Sequence, residues 1–450
     1  MMQHELNLPE EDLRWLTFVQ RFENIAREYP EFIPLRRCVY GSVYEEKRNM
    51  QPLVGSRQYP GLVKHSAISL YNLLTIMPVD ILLWQDTERS YMYETINLIQ
   101  ILAHQTGLTT CVLLKPMLAK RGLTERAKHI YPLAIRRNLP THARYFSQTI
   151  VRQFQQESLV NLAPYLEKYL RDYFGYSRIF HLVIRKLKPK LIMFMNDQFL
   201  ASATLAKVVR KYNIPSYVLQ HGAPNPFQYP LQADKLLAWG EKSKRYFMQL
   251  HMPESQITVS GSVLHDKIQF HKNTRVSKKR ILLISNGNNT DRNGELPKIA
   301  YEWLALLKRE DENYEIYVRY HPDEWDIFKR LGEQFNMSLN ATSLHDALRE
   351  TDVVVGYVST ALLEGSLTGR PVIQLLDQSA SHLCDYWKDG IAVGVHNYPE
   401  FKAAVRNICG NDLNYYAVVE KQRAIAKQHF YNHGSVGHAL FSMLKLEGVL

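Results

Sequence analysis

The segment from Lys190 to Gly222, KLIMFMNDQFLASATLAKVVRKYNIPSYVLQHG, constrains the fold more than any other part of the chain. Its short apolar run, Leu191 to Met195, is typical of a strand that is covered on both faces. The apolar spacing over 201–211 predicts a helix, which Asn213-Ile214-Pro215 ends. A second apolar run, Ser216 to Gln220, follows at once. The segment therefore predicts a strand–helix–strand unit whose two strands lie parallel in one sheet.

Polar residues follow both of these predicted strands. Asn196 and Asp197 come after the first strand, and Gln220, His221 and Gly222 close the second. In open parallel sheets, ligands bind outside the carboxyl ends of the strands. The sequence therefore predicts a ligand site at this edge of the sheet.

Further strands extend this unit into an α/β lobe over 76–264. Val79 to Trp84 is the first clearly buried strand, and Asp86 lies in the polar loop behind it. Additional strands are predicted at 109–114, 235–239 and 257–259, and a helix at 91–105. Residues 1–75 are expected to form a helical N-terminal extension, defined best by the apolar spacing over 10–28.

Residues 117–188 are predicted to be a mostly helical and strongly basic insertion in this lobe. The cations in and just after it are Lys120, Arg121, Arg126, Lys128, Arg136, Arg137, Arg144, Arg185, Lys186, Lys188 and Lys190. Such residues can simply solvate helix faces. The alternative is a surface that meets an anionic acceptor or the lipid headgroups of the inner membrane.

A second series of alternating strands and helices begins after a polar, basic linker over 265–280. Strands are predicted at 281–285, 314–320, 352–355 and 371–375, and helices at 295–309 and 361–368, within a lobe over 281–410. The remaining residues, 411–450, are expected to be helical and to cross back to the first lobe. The predicted class is therefore α/β, with two Rossmann-like lobes facing a cleft.

One strand end of the second lobe carries Arg319 and the pair His321-Pro322. Pro322 has no N–H and turns the chain out of the sheet, which presents His321 at the edge. The imidazole and the Arg319 guanidinium can both bind phosphate. The dipeptide alone is equally typical of a strand end with a surface histidine.

Another strand of this lobe leads into a helix through Ser359 and Thr360. Either hydroxyl can cap the helix, whose free N–H groups and dipole would then favour a phosphate. Glu364, one turn further on, could accept hydrogen bonds from ribose hydroxyls. The alternative is an ordinary capping box.

A third loop, Ser285-Asn286-Gly287, follows the first strand of the second lobe. Gly287 lacks a side chain and would let the backbone approach a phosphate, although a simple turn explains it equally well. Three strand ends with phosphate-compatible groups in one lobe, and His221, Asp197 and Asp86 in the other, favour a nucleotide in the second lobe and an acceptor in the first.

Charge and composition restrict the classes of molecule that the protein is expected to bind. The formal net charge is +11 and the pI is near 9.2, which favours nucleotides, anionic glycans or anionic lipids. We found no zinc-finger, RNP-like or basic heptad pattern, so nucleic acid is not the expected partner. The chain has no run of about 18 apolar residues, a polar acidic start and four scattered cysteines. We expect a cytoplasmic protein that can lie on the inner membrane as a peripheral protein.

The ordered set of motifs resembles the GT-B fold glycosyltransferases of bacterial surface-polysaccharide assembly (capsule, lipopolysaccharide and teichoic acid). The residues that carry the resemblance are Gln220-His221-Gly222, Ala233-Asp234-Lys235, Trp239-Gly240, Val259-Ser260-Gly261-Ser262, Arg319, His321-Pro322, Ser359-Thr360, Glu364 and Gly369-Arg370-Pro371-Val372-Ile373. The similar groups are polysialyltransferase-like proteins, capsule Kdo transferases and teichoic-acid glycerophosphotransferases. The non-hydrolysing UDP-GlcNAc 2-epimerases are similar more distantly.

The resemblance implies a nucleotide-sugar donor, CMP-, CDP- or UDP-linked, bound by His321, Ser359 and Thr360 of the second lobe. In the glycerophosphotransferases the histidine before glycine is thought to be the base, and His221 matches it. The sequence lacks the acidic pair followed by glycine of the sialyltransferases, which argues against sialic acid as the donor. It also lacks a DxD motif, so we expect transfer without a metal.

The expected reaction is a direct displacement on the donor sugar. His221 or Asp197 takes the proton of an acceptor hydroxyl on a glycan or a lipid-linked acceptor. Asp86, Asn196, Gln220 and Gly222 are candidates for the acceptor side. Two alternatives remain open, namely an epimerase that acts on a UDP-sugar alone and a non-catalytic scaffold that keeps the two lobes.

Overall fold

A computed structural model describes residues 10–44, 68–73, 75, 77–87, 90–115, 127–133, 138–158, 160–274, 279–285, 295–319, 337–339, 343–376 and 385–450. The chain divides into two compact units. The first domain comprises residues 1–264 and 435–450, and the second domain comprises residues 265–434.

The first domain contains a seven-stranded parallel sheet. Its strands are β1 (Ile81–Gln85), β2 (Thr110–Leu114), β3 (Ala127–His129), β4 (Leu191–Phe194), β5 (Ser216–Leu219), β6 (Lys235–Ala238) and β7 (Ile257–Val259). The spatial order is β3-β2-β1-β4-β5-β6-β7. The direction of the crossovers therefore changes between β1 and β4, and such a point opens a crevice at the carboxyl ends of the strands.

Helices cover both faces of this sheet. They are α1 (Glu10–Ala26), α2 (Arg36–Tyr44), α3 (Ser90–Gln105), α4 (Thr141–Phe154), α5 (Leu162–Leu187), α6 (Leu200–Arg210), α7 (Glu241–Gln249) and α13 (Val436–Leu446). Alternate residues of each strand point to opposite faces. Leu82 and Trp84 of β1 pack in the core with α5, α6 and α7, whereas Ile81 and Leu83 pack with α3 and α13.

The N-terminal helices form a third core that is rich in aromatic rings. Trp15, Phe18 and Phe22 of α1 are buried with residues of α2, α4 and the first half of α5. Trp15 Nε1 also donates to the Tyr229 carbonyl at 2.9 Å, which joins α1 to the loop after β5. The expected helical extension and much of the basic insertion therefore share one core.

The second domain contains a six-stranded parallel sheet in the order β10-β9-β8-β11-β12-β13. Its strands are β8 (Arg280–Ile284), β9 (Glu315–Arg319), β10 (Ser338–Leu339), β11 (Val353–Gly356), β12 (Val372–Leu375) and β13 (Val393–Val395). Its helices are α8 (Glu295–Glu310), α9 (Leu344–Glu350), α10 (Ala361–Thr368), α11 (Tyr398–Cys409) and α12 (Asp412–Gln428). The direction changes between β8 and β11. The predicted α/β class with two Rossmann-like domains is confirmed.

Two segments differ from the sequence interpretation, and a third contains an element that was not predicted. The mostly helical basic insertion includes a short edge strand, because residues 127–129 pair with β2. The expected linker folds onto the second domain, where Asn273 Nδ2 donates to Asp352 at 2.7 Å. Of the C-terminal helices only α13 packs in the first domain, since Gln422 of α12 exchanges hydrogen bonds of 2.8 and 3.0 Å with the Val372 backbone. In the described ranges no helix has the length and apolar character that a membrane crossing needs.

Candidate active site

The polar residues predicted at the strand ends of the first domain lie along one edge of its sheet. Asp86 follows β1, Asn196 and Asp197 follow β4, and His221 follows β5. Neighbouring strands are about 4.8 Å apart, so β1, β4 and β5 bring these side chains within one ligand-sized span. The first two groups flank the point where the crossover direction changes.

His221 borders two pockets of this edge. The larger has an empty volume of about 370 Å³, and Tyr91, Thr95, Trp239 and the run Ser260-Gly261-Ser262 are among its other lining residues. The smaller, of about 250 Å³, includes Asn196, Asp197, Gln198 and Gln228 in its wall. Residues as far apart in sequence as Tyr91 and Ser262 thus meet around one half-buried imidazole. Trp239 and the serine run were quoted for the resemblance but were not predicted as site residues.

Gln220 holds the His221-Gly222 turn in place. Its Oε1 accepts from the Trp239 backbone N–H at 2.9 Å, its Nε2 donates to the Gly222 carbonyl at 2.9 Å, and its own carbonyl accepts from the Trp239 indole at 2.7 Å. Both polar atoms of the side-chain amide are therefore hydrogen-bonded within the protein, and Gln220 positions the His221-Gly222 turn.

Gly222 faces open space. A Cβ built on it would meet no atom within 4 Å. Neither internal packing nor backbone conformation therefore requires glycine here.

The Asp197 carboxylate holds the surrounding loop in place through hydrogen bonds. Its Oδ2 accepts from the backbone N–H groups of Gln232 and Ala233 at 2.6 and 2.9 Å, and its Oδ1 accepts from Gln198 Nε2 at 2.7 Å. Burial raises the pKa of Asp197, and these donors oppose that shift. The residue closes the loop after β5 onto β4, so proton transfer fits His221 better than Asp197. Asn196 has a similar local role, since its Oδ1 accepts from the Gln198 N–H at 2.7 Å.

Arg36 of α2 supports this loop from the N-terminal helices, a role that was not predicted from the sequence. The guanidinium is 3% exposed and donates to Gln198 Oε1 at 3.1 Å and to the Pro230 carbonyl at 2.8 Å. Burial lowers its pKa to about 10, although Glu23 and Asp197 oppose the shift. Residues 29–75 show no readable periodicity, so no local pattern pointed to this contact.

Asp86 differs from Asp197 in its surroundings. It is 4% exposed, and among the described residues neither carboxyl oxygen has a hydrogen-bond partner of acceptable geometry. Burial raises its pKa to about 6, while the charge of Lys115 and the nearby Ser202 and Trp84 side chains partly oppose the rise.

In the second domain, the crossover point between β8 and β11 carries hydroxyl groups. Ser285 follows β8, is 8% exposed and shares a hydrogen bond with the Tyr357 hydroxyl. Its N–H donates to the Arg319 carbonyl at 3.0 Å, which joins the ends of β8 and β9. Arg319 is itself half-buried at the end of β9.

The turn from β11 into α10 is tight. A Cβ on Gly356 would lie 2.9 Å from the Ile284 carbonyl and from a methyl of Leu362, closer than packed atoms allow. Ser359 Oγ accepts from the Ala361 N–H at 3.2 Å. Thr360 occupies the cap position without a side-chain cap bond. The start of α10 therefore lies directly beside the end of β8, with a hydroxyl on each side.

Glu364 lies in the first turn of α10 with its side chain 18% exposed, and its Oε1 is 3.7 Å from Nε2 of His265. His265 is buried against Phe430, with ring centroids 4.6 Å apart. Burial lowers the pKa of His265 to about 3, so the imidazole is neutral and the contact is not an ion pair. Sequence reasoning missed His265, which lies in the segment interpreted as a linker.

The remaining predicted residues, Asn286, Gly287, His321 and Pro322, lie outside the described residues. Their roles stay predictions.

No protein-family model matches the sequence, and no curated protein matches it either. Solved structures do share its fold. S. aureus MnaA, in a co-structure with UDP, aligns with a TM-score of 0.55 at 12% identity over 82% of this chain and 97% of that chain.

Two other structures align to a similar extent. UDP-GlcNAc 2-epimerase from Neisseria meningitidis bound to UDP-GlcNAc gives a TM-score of 0.52 at 14% identity, over 81% of this chain and 99% of its own. The glycotransferase of kitacinnamycin aligns with a TM-score of 0.52 at 13% identity, over 83% of this chain and 100% of its own. At this identity the likeness shows the fold, which is the two-domain GT-B fold.

Proposed function

We propose that the protein is a glycosyltransferase that moves a sugar from a CMP-, CDP- or UDP-linked donor to a glycan or lipid-linked acceptor in surface-polysaccharide biosynthesis. The observation that carries the proposal is the tight β11–α10 turn, where Gly356, Ser359 and the start of α10 meet Ser285. The shared fold supports it, because structures with that fold contain UDP and UDP-GlcNAc.

The proposed donor site uses the anion-binding properties of a helix start. The positive end of the α10 dipole suits a phosphate, while the N–H groups of Ala361, Leu362 and Leu363 already donate to Ser359 and Thr360. Ser359 and Ser285 add hydroxyl donors, and Glu364 can accept from ribose hydroxyls. Arg319 and, from the sequence, His321 and Pro322 would complete the site. As phosphate charge develops on the leaving nucleotide, these donors would stabilise it, which is why we expect no metal requirement.

The proposed acceptor site is the His221 pocket of the first domain. The imidazole contacts and orients the acceptor, and the open space beside Gly222 admits it. Exposed cations at the end of α5, Arg185, Lys186 and Lys188, lead into the amino end of β4 and so lie away from this pocket. They suit an anionic membrane surface.

A binding screen on purified protein tests the donor site. We expect CMP, CDP or UDP, or one of their sugars, to raise the melting temperature, because a ligand at 100 times its Kd adds about 2.7 kcal/mol. Ser359→Ala should weaken binding about 10- to 100-fold, since a hydrogen bond to a charged group is worth about 1.5–3 kcal/mol. Ser343→Ala is the matched control, because the Ser343 hydroxyl also accepts from a backbone N–H in the first turn of a helix, that of Asp346 in α9. His321→Ala tests the sequence-based part of the site. Equal affinity in all variants would count against this site.

His221→Ala tests the acceptor side. We expect turnover to fall about 10²-fold, the usual cost of a misplaced reacting group, while donor affinity stays unchanged. Isothermal titration and a nucleotide-release assay measure the two quantities. His104→Ala, at an exposed histidine of α3, is the control. Lost donor affinity would move His221 into the donor site.

An epimerase is the second candidate, because UDP-GlcNAc 2-epimerases share the fold. Incubation with UDP-GlcNAc alone separates the two. An epimerase converts it without an acceptor, whereas a transferase needs an acceptor or slowly hydrolyses it.

A further inference from the structure

Three carboxylates are buried among the described residues, those of Asp86, Asp197 and Asp352. Asp197 accepts three hydrogen bonds. Asp352 accepts from Asn273 Nδ2 at 2.7 Å and from the Arg280 N–H at 2.8 Å. Asp86 alone has no partner of acceptable geometry within the described part of the chain. A carboxylate buried in this way is costly, and such groups concentrate at functional sites.

The position of Asp86 is where the sheet would hold a ligand. Gln85 is the last residue of β1 and pairs with Leu114, the last residue of β2. The Lys115 N–H donates to the Gln85 carbonyl at 2.8 Å, so Asp86 and the exposed Lys115 emerge side by side at the carboxyl edge. This edge is also the first-domain point where the crossover direction changes.

The side chains that surround Asp86 come from several elements. Trp84 of β1, Ser202 of α6 and Lys115 after β2 lie beside it, as does Tyr176 of α5. The Ser202 hydroxyl donates instead to the Phe199 carbonyl at 2.9 Å. Lys115 therefore supplies the nearby positive charge, and the carboxylate keeps acceptor capacity for a substrate proton.

We propose that Asp86 is the general base that takes the proton of the acceptor hydroxyl. The hydroxyl oxygen bonds to the anomeric carbon of the donor sugar as the bond from that carbon to the phosphate oxygen breaks. The nucleotide leaves with the electron pair, and the proton ends on Asp86. His221, two strands away, then orients the acceptor. The proposal rests on the proposed glycosyl transfer, and it assigns the base that the sequence left between His221 and Asp197.

The electrostatics suit this role. Burial raises the pKa of Asp86 to about 6, close to the range in which a general base works best near neutral pH. The carboxylate is then mostly ionised at pH 7 and still basic enough to accept a proton.

Hydrolysis of the nucleotide sugar that stabilises the wild-type protein in the screen tests the proposal, with water as the acceptor. We measure released nucleotide between pH 4.5 and 8. Wild-type turnover should fall about tenfold per pH unit below the Asp86 pKa. Asp86→Asn should lower turnover about 10²- to 10⁴-fold and keep its donor affinity. Its turnover should no longer fall at acidic pH, so the acid limb of the pH profile should be lost. His221→Ala should be slower but keep the limb.

Two further variants serve as controls for the Asp86→Asn result. Asp86→Glu should recover part of the activity and retain an acid limb. Asp172→Asn is the matched control, because burial also raises the pKa of Asp172 to about 6, yet that residue lies on α5 and not at a strand end. Its turnover should stay within about twofold of the wild type.

The outcomes are distinguishable. Asp86→Asn turnover within tenfold of the wild type, or an unchanged acid limb, overturns the base assignment and leaves the transferase intact. A wild-type protein that binds no nucleotide sugar overturns the proposed function, and the base assignment falls with it.

Discussion

Asp197→Ala should destabilise the first domain by about 3–5 kcal/mol, the usual cost of removing one partner from a buried charged network. The substitution leaves the N–H groups of Gln232 and Ala233 without an acceptor and removes the partner of Gln198. Arg36 would stay buried beside the gap, with less opposing charge. Asp197→Asn should cost less, since an amide oxygen of the same shape can still accept from the two backbone groups.

Urea unfolding followed by hydrogen exchange of peptides from β4 and β5 measures this effect within the first domain. Peptides of β11 and β12 in the second domain provide an internal reference. Glu254→Ala is the control variant, because it removes an exposed ion pair to Lys244, and such pairs contribute little. If Asp197→Ala were as stable as that control, the network would not hold the loop.

Asp86→Asn should have the opposite effect and stabilise the protein at pH 8. The pKa of Asp86 lies at about 6 in the folded protein, against an ordinary value of 3.8. The folded state therefore disfavours the charged form, which costs about 3 kcal/mol above pH 6 at 1.36 kcal/mol per pKa unit. Below the ordinary pKa of 3.8 the carboxyl is mostly protonated in both states, so the variant should gain little there.

Paired melting curves of the wild type and Asp86→Asn at pH 8, 6 and 4 check the sign and the window. We expect the gain to shrink as the pH falls through 6 and to be small near 4. A gain that does not depend on pH would mean that packing, and not charge burial, is responsible. A more stable but less active variant is the usual relation between a functional buried charge and stability.

The fold could be predicted from the sequence because its strands are buried on both faces. The run at 191–195 and the run at 216–220 were predicted as strands and are observed as Leu191–Phe194 and Ser216–Leu219. Continuous apolar runs leave little alternative when each is bounded by polar residues. The short strand at 127–129 was missed, because three residues at a sheet edge carry no periodic signal.

The candidate site was predictable to the extent that it depends on strand ends. His221 and Asp86 follow predicted strands, and the parallel sheet brings them to one edge. The different surroundings of Asp197 and Asp86 were not predictable, because both are aspartates that follow apolar runs. What distinguishes them is the set of donors around each carboxylate. Those donors come from contacts such as Gln232 with Asp197, and local sequence patterns do not report such pairings.

The first domain is discontinuous in sequence. Helix α13 packs on α3 so closely that a Cβ on Gly437 would lie 2.7 Å from a methyl of Leu102. Glu447, just beyond α13, binds Lys235 at 2.8 Å and also accepts from Tyr217. The ribosome therefore synthesises the whole second domain before it reaches α13, the helix that completes the first domain. During synthesis, the face of the first sheet that α13 covers therefore stays exposed while about 170 further residues are made, and apolar surface exposed in this way favours misassembly and aggregation.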